Sequence, residues 1–503
     1  MNLPDMPMAE EKNRKYIVDF KGLNLGMGAQ DGELADCWNL STKEYPCLSQ
    51  RGSREVKTTL TDPQAIFSRG ELCYVDGTGF YYNGALKGTV VAGPKQFAVI
   101  GGRVVIFPDK KMYNPTDDSF ISLEASQTKT GVTFTDSELK ASDAFSSFSE
   151  GDGLTISGCT KFPENNKTVI VREISGGTLT FYDNTFTAGA ETGTVTVSRT
   201  VPDMDFICES GNRLWGCGNG QIYASKLGDP LNFNVFDGLA SDSFAVAVGS
   251  DGAFTGCIGY STHIAFFKED VVHKMYGTKP SNFQLTEGRI QGVQAGCDKS
   301  MVIINETLYY KSRAGIMAYT GSIPELVSGA FGAKRFGTAT AGTDGERYYV
   351  SMQDGSTWGL YVYDVLRGLW IHEDSTHVLG FATKEGSLYY LDSDSGELFR
   401  MEAGAGDVVW SATMAEVNEV VPERKGYGKV FLRVELLSGF MKVEANVDRA
   451  GWRQISTVRK PSKRVLQIPI IPTRCDCFQI RLSGNGRCRV HALVREFLYG
   501  SDA

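Results

Sequence analysis

The stretch Phe97-Ala98-Val99-Ile100-Gly101-Gly102-Arg103-Val104-Val105-Ile106-Phe107 decides the fold. Two apolar runs, each the length of a strand, meet at a Gly-Gly turn, which is the sequence pattern of a tight hairpin. The same unit recurs. Gln64-Ala65-Ile66-Phe67 leads through Ser68-Arg69-Gly70 to Leu72-Cys73-Tyr74-Val75, and later copies centre on Leu214-Trp215, Ile264-Ala265-Phe266-Phe267, Leu308-Tyr309-Tyr310, Tyr348-Tyr349-Val350 and Leu388-Tyr389-Tyr390-Leu391. Some copies add a third strand, as in Gly315-Ile316-Met317-Ala318-Tyr319 and Gly396-Glu397-Leu398-Phe399-Arg400. The seven anchors are mostly spaced roughly 32 to 51 residues apart, near the 40–50-residue period of propeller blades. No amphipathic helical period interrupts them. The chain therefore reads as all-β, with a β-propeller of six to eight blades, seven favoured, because a radial array of small sheets protects many strand edges at once. A set of unrelated sandwiches with similar hairpins is the alternative.

One gap, between Val105 and Trp215, is too long for a single blade. Residues 129–200 carry their own strand candidates, including Lys167-Thr168-Val169-Ile170-Val171-Arg172 and Gly193-Thr194-Val195-Thr196-Val197. They read as a small β-barrel or sandwich inserted into a blade-to-blade loop, a place where added length costs little closure entropy. The propeller then comprises 60–128 and 201–405, with 1–59 an extended segment closing or flanking it. After Gly404-Ala405-Gly406 longer alternating strands begin, and 406–503 reads as a C-terminal β-sandwich of about six or seven strands. Within it, Lys429–Leu436 is expected to turn at Ser438-Gly439 into Lys442-Val443-Glu444-Ala445, and Asn485-Gly486 carries a strong hairpin signal.

The formal charge of -8 divides unevenly: residues 407–503 hold sixteen Lys/Arg against ten Asp/Glu, so this segment is +6 and the remainder -14. Opposite signs in two parts of a chain point to different partners for each. The opening MNLPDMPMAEEKNRKY lacks the apolar run of a signal peptide, and no apolar stretch is long enough to span a bilayer, so neither export by that route nor a membrane span is expected. The sequons at Asn39, Asn166 and Asn305 then carry no glycosylation signal. Eleven scattered cysteines read as buried free thiols.

No catalytic or cofactor constellation is expected. His263, His273, His372, His377 and His491 fit no metal or triad motif. Cys475-Asp476-Cys477 with Cys488 and His491 lacks zinc-ligand spacing. Gly216-Cys217-Gly218-Asn219-Gly220 imitates a phosphate loop, but no helix follows it, so it reads as a hairpin turn. Ser351-Met352-Gln353-Asp354-Gly355-Ser356-Thr357-Trp358 approaches the box of sialidase-like propellers with Gln353 in place of Asp, and Asp392-Ser393-Asp394-Ser395-Gly396 lacks the closing acid of a calcium loop. No metal and no cofactor are predicted.

Two segments resemble the tail nozzle or stabilisation proteins of short-tailed phages and prophages. The first runs from Phe20-Lys21-Gly22-Leu23-Asn24 through Asp36-Cys37-Trp38-Asn39-Leu40-Ser41 to Tyr45-Pro46-Cys47-Leu48-Ser49-Gln50-Arg51-Gly52-Ser53-Arg54, with Tyr45, Pro46, Leu48, Arg51 and Arg54 as its signature. The second is Asn212-Arg213-Leu214-Trp215-Gly216 followed by Ile222–Phe233, with Asn212, Arg213, Leu214, Trp215, Gly228, Asp229 and Pro230 as its signature. The resemblance implies a propeller-based virion protein: a homohexameric ring around a channel through which DNA passes without specific binding. Such a ring docks on portal or adaptor connector proteins above and carries tail fibres or distal tail proteins below.

A structural protein of a phage tail, made in the host cytoplasm and not an enzyme, accounts for the absent active site and the charge split. The alternatives are a carbohydrate-binding or carbohydrate-active propeller, suggested by the aromatic content and the degenerate box, and a cytoplasmic interaction scaffold. Arg474, Arg481, Arg487 and Arg489 are the candidate partner contacts, because alternation with Ile480, Leu482 and Cys488 puts arginines on outer strand faces.

Overall fold

A computed structural model describes residues 12–182, 186–470 and 474–499. The amino-terminal residues 1–11, part of the stretch read above for a missing signal peptide, lie outside it.

Seven four-stranded antiparallel sheets form the propeller. Blade I runs Pro63–Arg69, Glu71–Asp76, Gly79–Tyr82 and Ala85–Thr89; blade II runs Gln96–Ile100, Arg103–Phe107, Lys111–Asn114 and Ser119–Ser122. Blade III opens at Phe206–Ser210, blade IV at Gly256–Gly259, blade V at Val302–Ile304, and blade VI at Ala339–Thr343, ending at Leu369–Asp374. Blade VII takes three strands from Val378–Lys384, Ser387–Asp392 and Glu397–Gly404. Its outer strand is Ser53–Thr59 from near the other end of the chain, paired antiparallel with Glu397↔Thr59, Leu398↔Thr58 and Phe399↔Val56. The first strands of the blades stand around the axis.

All seven anchors are second strands. This strand is covered on both faces by the neighbouring blades, so it reads as a continuous apolar run rather than an alternating one: Arg213–Gly218 and Ile264–Phe267 are buried throughout. The glycine loop at 216–220 is indeed a hairpin turn, with Asn219 (φ 49) and Gly220 (φ 72) both in the left-handed conformation that a two-residue hairpin requires.

Between blades II and III the chain leaves to build one bent eight-stranded sheet from Ala125–Thr130 to Thr194–Arg199. The sequence reading opened this module at 129. Its first strand starts earlier because Ala-Ser-Gln-Thr-Lys-Thr, an edge strand, carries no apolar signal. The module wraps a core of its own, including Phe134, Leu154, Val169, Phe181 and Val197. Ala125 and Arg199 are register partners, so entry and exit lie one strand spacing apart, about 5 Å. Replacing 125–199 by a short Gly/Ser linker is therefore expected to leave a soluble β-rich protein. Far-ultraviolet circular dichroism and gel filtration check this, and collapse into aggregate would contradict it.

The C-terminal sandwich differs from its reading in two ways. First, it is completed by the N-terminal segment, which does more than flank the propeller. Asn13–Ile17 and Leu48–Gln50 pair with Cys488–Tyr499, Leu40–Ser41 extends that seven-stranded sheet, and Leu34–Trp38 edges the five-stranded sheet against Val409–Met414. Second, neither expected hairpin is one. Lys425–Leu436 and Phe440–Val447 lie in opposite sheets, as do Phe478–Asn485 and Cys488–Tyr499. Both turns are corners where the chain changes sheet, and they stack on each other. A Cβ on Gly486 would sit 2.6 Å from the Ser438 carbonyl oxygen, and one on Gly439 would strike Asn485. Asn-Gly supplies the backbone conformation in either setting, so the dipeptide alone does not separate a hairpin from a corner.

Candidate functional site

The first signature segment joins the sandwich to the propeller. Gly22 and Leu23 lie against the outer strand of blade VI, where the Leu23 amide donates to the Trp370 carbonyl at 2.7 Å. Cys37 is wholly buried and accepts the His372 amide at 3.2 Å, and burial pushes its thiol up to about 12. Beyond it, two arginines meet two acids at the end of blade VI. Arg54 Nη2 lies 2.8 Å from both Glu373 Oε2 and Asp374 Oδ2, while its Nη1 donates to Thr376 and to the Tyr390 hydroxyl of blade VII. Arg51 Nε donates to Asn39 Oδ1 at 2.7 Å and lies within 3.6 Å of Glu373. Burial would raise the Asp374 carboxyl, but Arg54 and Thr376 hold it below its ordinary value. Burial and the like charge of Arg54 lower Arg51. Of the remaining signature residues, Leu48 is core, Pro46 accepts the Phe20 amide at 3.3 Å, and Tyr45 stacks under the Arg367 guanidinium.

The second signature segment holds blade III and clasps the inserted module. Arg213 is buried and donates to main-chain carbonyls of Ser225, Ala240 and Asp242 at 2.5–2.7 Å, pinning the loop before the outer strand. Leu214 and Trp215 are core, and the Gly228 amide donates to the Asn212 carbonyl at 2.7 Å. Pro230 is buried beside Asp229, whose Oδ2 accepts Asn232 Nδ2 at 2.7 Å. The same Nδ2 reaches Asp152 of the module at 2.8 Å, the Gly153 amide returns a bond to Asn232 Oδ1, and Asp152 pairs with Arg199 at 2.6 Å. The sequence reading reached neither network, although the paired acids Glu373-Asp374 at a strand end offered a signal for the first. Asp152 and Asn232 gave none.

The four C-terminal arginines do not form one patch. Arg481 stacks on Trp452 and pairs with Glu444 at 2.7 Å on the five-stranded sheet. Arg474 is exposed at the start of the strand Lys425–Leu436, beside Gly426, and Arg487 and Arg489 lie at the opposite end. Only these last two converge, in a cleft of about 290 Å³ between the sandwich and blade VII. Beside it Cys47 Sγ lies 3.2 Å from His491 Nδ1, and His491 Nε2 lies 3.6 Å from Glu435, a contact that sequence spacing did not suggest. Burial and the nearby Glu44 raise the Cys47 thiol, the opposite of an activated nucleophile. Cys475 and Cys488 lie at opposite ends of that same strand and do not meet. Among the described residues no group of three or more His, Cys, Asp or Glu side chains is placed to hold a metal, and no helix is long and apolar enough to cross a membrane.

The propeller axis itself is bridged. Gln96, at the start of blade II, donates through Nε2 to Asp298 in the turn before blade V at 2.7 Å.

No family model matches this chain, and no curated protein does. Solved structures that are similar include the propeller protein Hsv2 of Kluyveromyces lactis (10% identity, 64% of this chain and 98% of that one, TM-score 0.27). BBS1N in complex with ARL6DN is 12% identical over 79% of this chain and 97% of that one, with a TM-score of 0.28. An exo-β-1,3-galactanase of Phanerochaete chrysosporium is 11% identical over 57% and 94%, with a TM-score of 0.22. This chain is an all-β protein built on a seven-bladed propeller, with an inserted β module and a two-sheet sandwich.

Proposed function

We propose that this chain is a structural rather than catalytic protein: a nozzle-type ring subunit of a phage tail, docking on connector proteins on one side and on fibres or distal tail proteins on the other. The observation that carries this reading is the use made of the two signature segments. Their residues hold parts together, Arg51 fixing the link from the sandwich to the end of blade VI, Arg54 on the outer strand of blade VII tying that blade to blade VI, and Asp229 with Asn232 fixing the module to blade III. A component that transmits load between neighbours needs its domains fixed in this way. Because Gln96 and Asp298 bridge the propeller axis, DNA in this reading passes along a channel enclosed by several copies and not through one propeller. The net negative charge outside the sandwich suits a wall along which phosphates slide, since each phosphate neutralised by Lys or Arg adds salt-sensitive binding.

Ring contacts are heterologous and close only when the rotation per copy divides a full turn. Sedimentation velocity of the full chain, alone and with connector proteins, is expected to show a closed ring in at least one condition. A strict monomer in all of them, or one-to-one binding to a sugar, would overturn the proposal.

A further inference from the structure

One face of the seven-stranded sheet packs into the sandwich core, and the opposite face lies open. Along Lys425–Leu436 the side chains of Val430, Leu432 and Val434 are buried, so Lys429, Phe431, Arg433 and Glu435 point the other way. The register sets these in rows across four strands. Tyr16, Val494, Phe431 and Gln467 make one row; Arg14, Glu496, Lys429 and Pro469 flank it on one side, and Ala492, Arg433 and Val465 on the other, with Glu435 and Lys463 beyond. Tyr16 and Val465, on the two outer strands, are 61% and 65% exposed.

The result is an apolar strip framed by cations. Lys12, Arg14, Lys429, Arg433 and Lys463 stand around it against Glu435 and Glu496, and Arg489 at the margin is matched by Glu44. Exposed apolar surface inside a polar rim is the composition of a contact surface. Its charge selects the occupant. A copy of the same face is disfavoured, because a two-fold contact would set cation against cation. A nucleic acid fits poorly as well: Arg14 lies 5.3 Å over the Phe431 ring, which leaves only Tyr16 open to a base, and two carboxylates stand where phosphates would run. The complementary charge is on this chain itself. Residues 201–405, which build blades III to VII, hold twenty-four Asp/Glu against fifteen Lys/Arg, a net of -9.

We propose that this open sheet face is the docking surface for a second copy of the chain, seated against the acidic blades III to VII of that copy. The inference rests on the ring reading and names the contact that builds the ring. Unlike surfaces on the two partners make a head-to-tail contact, the kind a closed ring requires. The apolar strip supplies burial, and the cations around it set orientation and speed of encounter.

Sedimentation velocity of the full chain, in the condition where the parent associates, compares Arg433→Glu and Lys463→Glu with Arg453→Glu, which makes the same change of charge on the edge of the five-stranded sheet. Each face variant is expected to weaken self-association roughly tenfold or more, and Arg453→Glu to leave it within about twofold. All three side chains are exposed, so unchanged melting profiles separate a lost contact from lost folding. Zero-length carbodiimide coupling in a mixture of isotope-labelled and unlabelled parent is expected to join Lys429 or Lys463 to an acid within 201–405 of another copy. A parent that never associates, alone or with connector proteins, would overturn both the ring reading and this assignment. An associating parent matched by its face variants, an equal loss in Arg453→Glu, or couplings from these lysines that never reach another copy would overturn this assignment alone. So would salt-sensitive DNA binding that the face variants lose while association persists, since the face would then belong to a nucleic acid.

Discussion

Replacing Arg54 with Ala is expected to destabilise the unit formed by the propeller and the sandwich by about 3–5 kcal/mol, the range for removing one partner from a buried ion pair. The cost exceeds the value of the contacts, because Glu373 and Asp374, with side chains 4% and 13% exposed, would keep their negative charge with only Arg51 left to answer it. The Tyr390 ring also loses the cation above it. Arg54→Lys keeps the charge but not the fork and is expected to fall between the two. Urea unfolding followed by tryptophan fluorescence reads the change, with each transition fitted separately because a chain of several domains need not melt as one. The same network gives a pH dependence of definite sign. Asp374 titrates below its unfolded value, so its contribution is fully present above about pH 3.9 and is lost as pH falls through the lower folded value. Acid melts of the parent should show this loss, and Arg54→Ala should show less of it.

Trp215→Ala is expected to cost a similar amount, about 3–5 kcal/mol, by a different mechanism. The ring is 1% exposed on the second strand of blade III, within 5.1–6.4 Å of Phe283, Phe244 and Phe266, and so fills the space between blades III and IV. Its Nε1 donates to the Ser210 carbonyl at 3.2 Å, and truncation leaves that carbonyl unpaired as well as a cavity. Trp215→Phe keeps most of the volume and should recover the larger share. If Ala were tolerated within about 1 kcal/mol, the spacing between blades would have to rest on other residues.

The propeller was legible because its second strands are buried on both faces and therefore announce themselves as apolar runs, Val104–Phe107 and Ile264–Phe267 among them. Outer strands were not. Ala-Leu-Lys-Gly-Thr at Ala85–Thr89 and Glu325–Leu326 face solvent and carry no period to read. The N-terminal strands of the sandwich escaped for another reason: Leu48 finds Val490 and Asn13 finds Phe497, and no local pattern reports a partner at the far end of a sequence. Arg481 and Arg489 lie on the outward faces of their strands, as alternation had it, whereas Arg487, read the same way, sits in the corner between Phe478–Asn485 and Cys488–Tyr499 and on no strand. That Arg481 is already occupied by Glu444 depends on its neighbour across the sheet, which spacing along one strand cannot supply. The signature residues were picked out by resemblance, and only the geometry showed that they act as fasteners.

The strand Ser53–Thr59 completes blade VII only when Glu397–Gly404 exists to receive it. A nascent chain elongating at about 5–20 residues per second must therefore hold that strand without its partner for on the order of tens of seconds. The segment Asn13–Gln50 waits longer still, for the final strand of the sandwich. Meanwhile the inserted module, whose first and last strands are each other's neighbours, has all it needs as soon as it leaves the ribosome. The order of synthesis thus runs opposite to the order of radial assembly. A folded outgrowth appears first on an unclosed ring, and closure is a late event that depends on the early strand having stayed free of other sheet edges.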